Sequence, residues 1–189
     1  MESLRGVKKM DAQTNVTSTG QKIRTVDITV TAAMAALGFL GTYIFKIPTI
    51  SGYVHLGDCM ILLTVALFGM KKGAIAGAIG GGLSDFIGGY FYWVVPTLLI
   101  KCMWAIVMGL IMHKVLKDKK GSFLIGAIAG GVLHIIAYTL VRVVLYGGKT
   151  AIIEIPALAF QTGAGIVIGF VIYMLLKKSG VAGRLSGMV

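Results

Sequence analysis

The sequence predicts an all-α integral membrane protein: six transmembrane helices in a compact bundle, with both termini in the cytoplasm. Three observations predict it. Of 189 residues, 57% are apolar and 13% are charged. A soluble domain carries about 25% charged residues, so this chain has too little charge to cover a globular surface in water. Mean hydropathy is +0.89. The apolar residues gather into six runs, with short basic clusters between them. A soluble enzyme, a disordered chain and a secreted disulfide scaffold are excluded on these grounds. Cys59 and Cys102 both lie in apolar runs and read as free thiols. A net charge of +11 would suggest nucleic acid in a soluble protein; between apolar runs it marks cytoplasmic loops.

The elements follow in order. Residues 1–24 are polar and read as a cytosolic tail rather than a signal peptide, because the first apolar run starts only at Ile28. A helix needs about 20 apolar residues to cross a bilayer core. Span one covers 28–45, with Asp27 as its N-cap. Span two covers 57–70 and is short; Asp58 suits its N-terminus. Lys71 and Lys72 join it in a tight hairpin to span three, 73–91. Spans four, five and six cover 95–113, 123–146 and 151–176. Residues 25–178 therefore form one membrane domain, followed by a cytosolic C-terminal tail, 179–189.

Charge orients the bundle. The tail carries five Lys and Arg residues. With Lys71 and Lys72, then Lys114, Lys117, Lys119 and Lys120, then Lys177, Lys178 and Arg184, that side holds fourteen of the 18. The opposite connections hold Lys46 and Lys149; Lys101 and Arg142 lie inside spans. Basic residues stay inside, so both termini face the cytoplasm. Glycine recurs at helical spacing: Gly73/Gly77/Gly81, Gly126/Gly130 and Gly165/Gly169. Such ladders let backbones approach closely within a bundle. Ala32 and Ala36 give span one a smooth face that suits either internal packing or a partner helix.

Charge within hydrocarbon costs about 2.5–3.5 kcal/mol on the insertion scale, so intramembrane ionisable residues mark a site. At 1.5 Å per residue, Asp85 and Lys101 both lie roughly 9 Å below the outer ends of their spans. They form a candidate ion pair. Arg142 and Glu154 lie roughly 5 Å down and form a second; His134 and Gln161 lie at roughly 15–18 Å. His134, Tyr138 and Arg142 share one helix face at i, i+4, i+8. The outer connections add Tyr53, His55 and Asp58, then Tyr92 and Trp93. His113, at the inner end of span four, reads as interfacial. Polar groups thus occupy the outer half, and glycine and aliphatic residues the inner half. A channel needs polar lining from face to face, and a proton-coupled carrier needs ionisable groups with a route inward. A cup opening outward over an apolar base suits a receptor for a small polar molecule. Structural ion pairs closing the bundle are the plainer alternative.

Catalytic and metal signals fail. Gly147-Gly148-Lys149-Thr150 resembles the end of a phosphate-binding loop, but Val143 stands where that motif needs glycine. Hydrolase motifs and zinc-spaced Cys/His clusters do not occur. No enzyme activity, metal or cofactor is expected of this chain.

The run Tyr53-Val54-His55-Leu56-Gly57-Asp58 before an apolar span, then Lys71-Lys72-Gly73, the Gly77/Gly81/Asp85 series, an aromatic outer loop, Pro96 and Lys101, resembles a known family. It is similar to the substrate-binding S components of energy-coupling factor (ECF) vitamin transporters, in the branch with riboflavin, hydroxymethylpyrimidine and pyridoxine types. The resemblance covers about 28–178. It implies a six-helix subunit of a bacterial cell membrane that binds a vitamin near its outer face. It also implies partners: a transmembrane coupling (T) subunit and two cytosolic ATPases, which use the ATP. Ala32 and Ala36 match the face on helix one that contacts the coupling subunit in that family. Delivery inward is thought to proceed by toppling of the S component, which an apolar inner half would permit.

The expected cargo is a B6 vitamer or hydroxymethylpyrimidine, with riboflavin next. The candidate binding residues are Tyr53, His55, Asp58, Asp85, Trp93, Lys101, His134, Tyr138, Arg142, Glu154 and Gln161. Trp93 or Tyr92 would stack on a flat ring and the polar groups would bond its substituents. On this reading Lys101→Ala loses binding while still folding. A non-transport membrane scaffold and a self-sufficient secondary carrier are the rival readings.

Overall fold

The structure is a computed structural model and describes residues 24–117 and 119–187. The cytosolic reading of the N-terminal tail falls outside the described residues, except at Arg24. The described residues are helical almost throughout. The helices are α1 (Thr25–Tyr43), α2 (Asp58–Phe68), α3 (Met70–Ile87), α4 (Phe91–Gly109), α5 (Ser122–Tyr146), α6 (Gly148–Lys178) and α7 (Val181–Gly187). A π-helical turn, Leu110–Val115, extends α4. Two short strands, β1 (Ile47–Pro48) and β2 (Tyr53–Val54), pair antiparallel in the α1–α2 connection.

Among the described residues, four helices are long and apolar enough to cross a membrane: α1, α4 with its π-helical turn, α5 and α6. Helix α2 has 11 residues, about 16 Å of rise, too short to cross a ~30 Å core alone. Helix α3 has 18 residues and bears Lys71 and Lys72 in its first turn. Gly69 ends α2 and starts α3 at φ 91°, a conformation that glycine adopts without penalty. Gly121 and Gly147, both at φ 85°, bracket α5.

Two capping expectations are corrected. Arg24, not Asp27, is the N-cap of α1; Asp27 accepts the Arg24 backbone N–H at 3.1 Å and pairs with Lys72 at 3.1 Å. Gly57 is the N-cap of α2 and Asp58 its first residue. His113, expected at the interface, sits half-buried in the π-helical turn, with Nε2 3.0 Å from the Val65 carbonyl.

Neighbouring helices run α1, α3, α4, α5, α6, α2, with α2 closing back on α3 and α1. Helices α3, α5 and α6 present aliphatic residues outward and mostly small or polar residues inward. On α5, Ile125, Ile128, Val132, Ile136 and Leu140 are exposed, while Gly126, Ala127, Gly130, His134, Tyr138 and Arg142 are buried. Lipid solvates the first set, so small residues rather than large ones draw the helices together. The glycines meet facing helices: a Cβ at Gly126 would touch Met108 of α4, and one at Gly165 would touch Asp58 of α2. Ala32 and Ala36 are exposed; it is Ala35 and Gly38 that turn towards the bundle.

Gly80 is the tightest joint between α1 and α3. A Cβ there would lie 2.7 Å from the Ala35 carbonyl oxygen and 3.1 Å from the Phe39 nitrogen. Backbone atoms cannot rotate away, so Gly80→Ala must separate the helices. We expect a loss of about 1–3 kcal/mol, read as a lowered unfolding midpoint in detergent; an unchanged midpoint would contradict this packing.

Candidate functional site

Below the level of Lys101 the bundle closes on apolar side chains. Ile61, Leu62, Val65, Trp104, Met108, Met112 and Phe123 form one buried cluster. Trp104 lies against Gly130 and donates its indole N–H to the Ala127 carbonyl at 3.1 Å. This is the apolar base that the sequence predicts.

Immediately above lies a fully buried polar layer. The Lys101 ammonium donates to Asp58 Oδ1 in an ion pair whose members are 1% and 0% exposed. Lysine has no acceptor, so its 3.3 Å contact to His134 makes Nε2 of that ring the acceptor. Nδ1–H then donates to Thr162 Oγ1 at 3.0 Å, and Thr162 donates on to the Leu158 carbonyl at 2.8 Å. Gln161 donates to Asp58 Oδ2 at 2.8 Å. The expected Asp85–Lys101 pair is therefore not formed. Depth counted along helices assumes that connections stay outside. Here the α1–α2 connection folds inward and brings Asp58 to Lys101, while Tyr53 donates its hydroxyl to Asp85 Oδ1.

That connection forms a strap over the upper bundle, and polar side chains satisfy its backbone. Ser51 donates N–H and Oγ–H to the Glu154 carboxylate at 2.5 and 2.6 Å. Arg142 Nε lies 2.7 Å from Glu154 Oε2 and donates to Ser51 Oγ at 3.2 Å. The Trp93 indole N–H donates to the Ser51 carbonyl at 3.1 Å. Deeper, the His55 N–H donates to Gln161 Oε1 at 3.3 Å, and the Gly57 N–H to His55 Nδ1 at 3.1 Å. The Arg142–Glu154 pair is present as expected. Its unforeseen partner is Ser51, at the strap's tip.

Between strap and polar layer is a small cavity. Tyr53, His55, Asp85, Trp93, Tyr138, Arg142 and Gln161 line it, together with Thr42, Gly52, Gly81, Thr97 and Leu158. Seven of the eleven sequence-predicted residues thus meet on one wall system. Asp58 and Lys101 lie beneath, against a second, smaller void; His134 lies behind Lys101 and Glu154 behind the strap. Thr97 was in reach of the sequence, four residues before Lys101 on the same face; it accepts the Tyr138 hydroxyl at 2.9 Å. Tyr92 does not contribute a ring: it is 79% exposed, whereas Trp93 is buried and packs tilted on Tyr138 at 5.6 Å.

Three polar groups in the wall are unsatisfied. Arg142 Nη1 has no hydrogen-bond partner. Asp85 Oδ2, with Thr97 alongside, has no partner of good geometry. The third is His55. Its Nδ1 accepts from Gly57, so the ring proton sits on Nε2, where the neighbouring Gln161 nitrogen, itself a donor, cannot accept it. Burial pushes this imidazole down to about 4, so the ring is neutral. Buried unsatisfied groups cost about 1–3 kcal/mol each. Two donors and an acceptor thus lie beside the Trp93 indole in one wall.

Apolar-faced helices around a small polar chamber define a helical membrane protein. The chain matches the family model described as "ECF-type riboflavin transporter, S component" over residues 22–178, and it belongs to that family. It is therefore a substrate-binding subunit of a vitamin transport system in a membrane, and not an enzyme. S components work in general with a T subunit and ATPases. A protein of Pyrococcus woesei, described as "Uncharacterized protein in gap 3'region", is 36% identical over 132 residues, covering 70% of this chain and 87% of that protein.

Proposed function

We propose that the chain crosses the plasma membrane six times, with both termini in the cytoplasm, and captures a flat heteroaromatic vitamin in the chamber beneath the strap. Residues 25–178 form the membrane domain, flanked by the tails 1–24 and 179–189. The carrying observation is the chamber itself: Trp93 and Tyr138 offer ring faces, and Arg142, His55 and Asp85 offer unsatisfied polar atoms. The name of the matching family moves riboflavin ahead of a B6 vitamer or hydroxymethylpyrimidine as cargo. Asp58, Lys101, His134 and Glu154 act from behind, by holding strap and floor. A coupling subunit docks on the exposed Ala32/Ala36 face, and two cytosolic ATPases consume the ATP; this chain carries no cofactor. The scaffold reading leaves the chamber without a purpose, and the apolar cluster below Lys101 offers a carrier no inward route.

Native mass spectrometry of the purified chain should show one bound compound of vitamin size. A thermal-shift panel of B vitamins should single out riboflavin, stabilising the protein by about 4 kcal/mol at a thousandfold excess over Kd. A chain that retains nothing and responds to no vitamin would refute capture. ATP-independent uptake into vesicles holding this chain alone would refute the need for partners.

A further inference from the structure

The end of the bundle opposite the strap carries like charge at the edge of its apolar flank. Here α4 ends in its π-helical turn, α5 begins and α6 ends. Contacts hold these ends together. The Phe123 ring of α5 stacks on Tyr173 of α6 at 5.1 Å, the Lys177 ammonium lies 5.8 Å over the same Tyr173 ring, and α5 packs on the π-helical turn. Six exposed lysines lie there: Lys114, Lys117, Lys119 and Lys120 on the way from α4 to α5, and Lys177 and Lys178 at the end of α6. The sequence sets one acid, Asp118, among them. Among the described residues, the one carboxylate at this end is Asp27, and Lys72 takes it at 3.1 Å. The α4–α5 connection is a built turn. Lys117 at φ 47° and Gly121 at φ 85° are left-handed, the Lys119 N–H donates to the Leu116 carbonyl at 3.0 Å, and the Ser122 N–H donates to the Lys119 carbonyl at 3.0 Å.

We propose that this patch binds the headgroups of anionic phospholipids. What borders the lysines decides for a lipid over a soluble acidic partner. Val115 follows Lys114 directly, Met174 and Leu175 precede Lys177, and Ile125 lies in the first turn of α5; all four are exposed. A lipid whose acyl chains lie along these aliphatic side chains has its phosphate at the height of the lysines. Lysine suits that border, since its stem lies along apolar surface while the ammonium stays at the polar boundary. Basic clusters at the ends of membrane helices draw in anionic lipid. Six lysines with one acid among them complement a surface of negative phosphates. A soluble acidic chain would need no aliphatic border. On the orientation proposed above, the patch meets the inner leaflet and fixes the depth of α4, α5 and α6 there. It lies at the other end from the chamber, so the inference stands whether or not a vitamin binds.

Native mass spectrometry of the full chain, released from mixed micelles with equal amounts of phosphatidylglycerol and phosphatidylcholine, tests this. At low salt, retained phosphatidylglycerol is expected to exceed phosphatidylcholine at least fivefold. Equilibration in 1 M salt, where charges are screened beyond about 3 Å, should bring the ratio close to one. Lys114→Gln, Lys117→Gln, Lys119→Gln and Lys120→Gln together are expected to lower the ratio at least threefold, and Lys177→Gln with Lys178→Gln about twofold. Lys149→Gln, at an exposed site at the strap end, should leave it unchanged. The salt arm uses the wild-type chain, so it decides even where a variant fails to fold. Equal retention of the two lipids by wild type overturns the inference, as does a preference that survives 1 M salt or the quadruple variant. Equal retention together with salt-sensitive binding of a polyglutamate peptide, lost in the quadruple variant, also overturns it and assigns the patch to an acidic protein.

Discussion

Lys101→Met is expected to be the most damaging single change in the upper bundle. It leaves the Asp58 carboxylate fully buried without its cation, and breaking such a pair costs about 3–5 kcal/mol. This revises the expectation that Lys101→Ala spares folding. Lys101 does not line the main chamber; it holds the polar layer together with Asp58 and His134. Lys101→Met combined with Asp58→Asn removes both charges and should recover at least half of the loss. Unfolding midpoints of wild type, single and double variants in mixed micelles check this. A single variant as stable as wild type would mean that the pair contributes nothing.

Glu154→Ala should act on binding more than on global stability. It strips acceptors from the Ser51 N–H, the Ser51 hydroxyl and Arg142 together. The strap tip then has only the Trp93 indole and Arg142 Nε to hold it. Vitamin affinity should fall about 100-fold, the equivalent of two charge-assisted hydrogen bonds. Amide exchange over 49–54 should accelerate while that of α5 stays slow. Ser51→Ala keeps the backbone bond to Glu154 and should cost about tenfold. Equal exchange in wild type and Glu154→Ala would show that the carboxylate does not hold the strap.

The helices were legible because hydrocarbon imposes a simple rule: long apolar runs, small residues at joints, cations at one side. Gly126, Gly130 and Gly165 meet facing helices as their spacing implies. Arg142 and Glu154 were legible as a pair because both sit near the ends of one short connection. The strap was not legible. Residues 44–57 carry no periodicity, and nothing in their order says that the loop folds inward. From that one omission follow the wrong partner for Lys101, the missing Ser51, and Asp58 taken as an outer residue. Tyr92 and Trp93 are adjacent and chemically alike; only the helical turn at the start of α4 decides that Trp93 faces in and Tyr92 out.

The two tryptophans of the chain sit at very different posts. Trp104 is sealed in the floor with its N–H on a helix carbonyl, while Trp93 donates its N–H to the Ser51 carbonyl of the strap and to the Tyr146 hydroxyl at the end of α5. The molecule thus carries its own optical gauge. Lifting the strap or admitting an aromatic guest alters the surroundings of one indole, and the other supplies a constant background against which that change is measured.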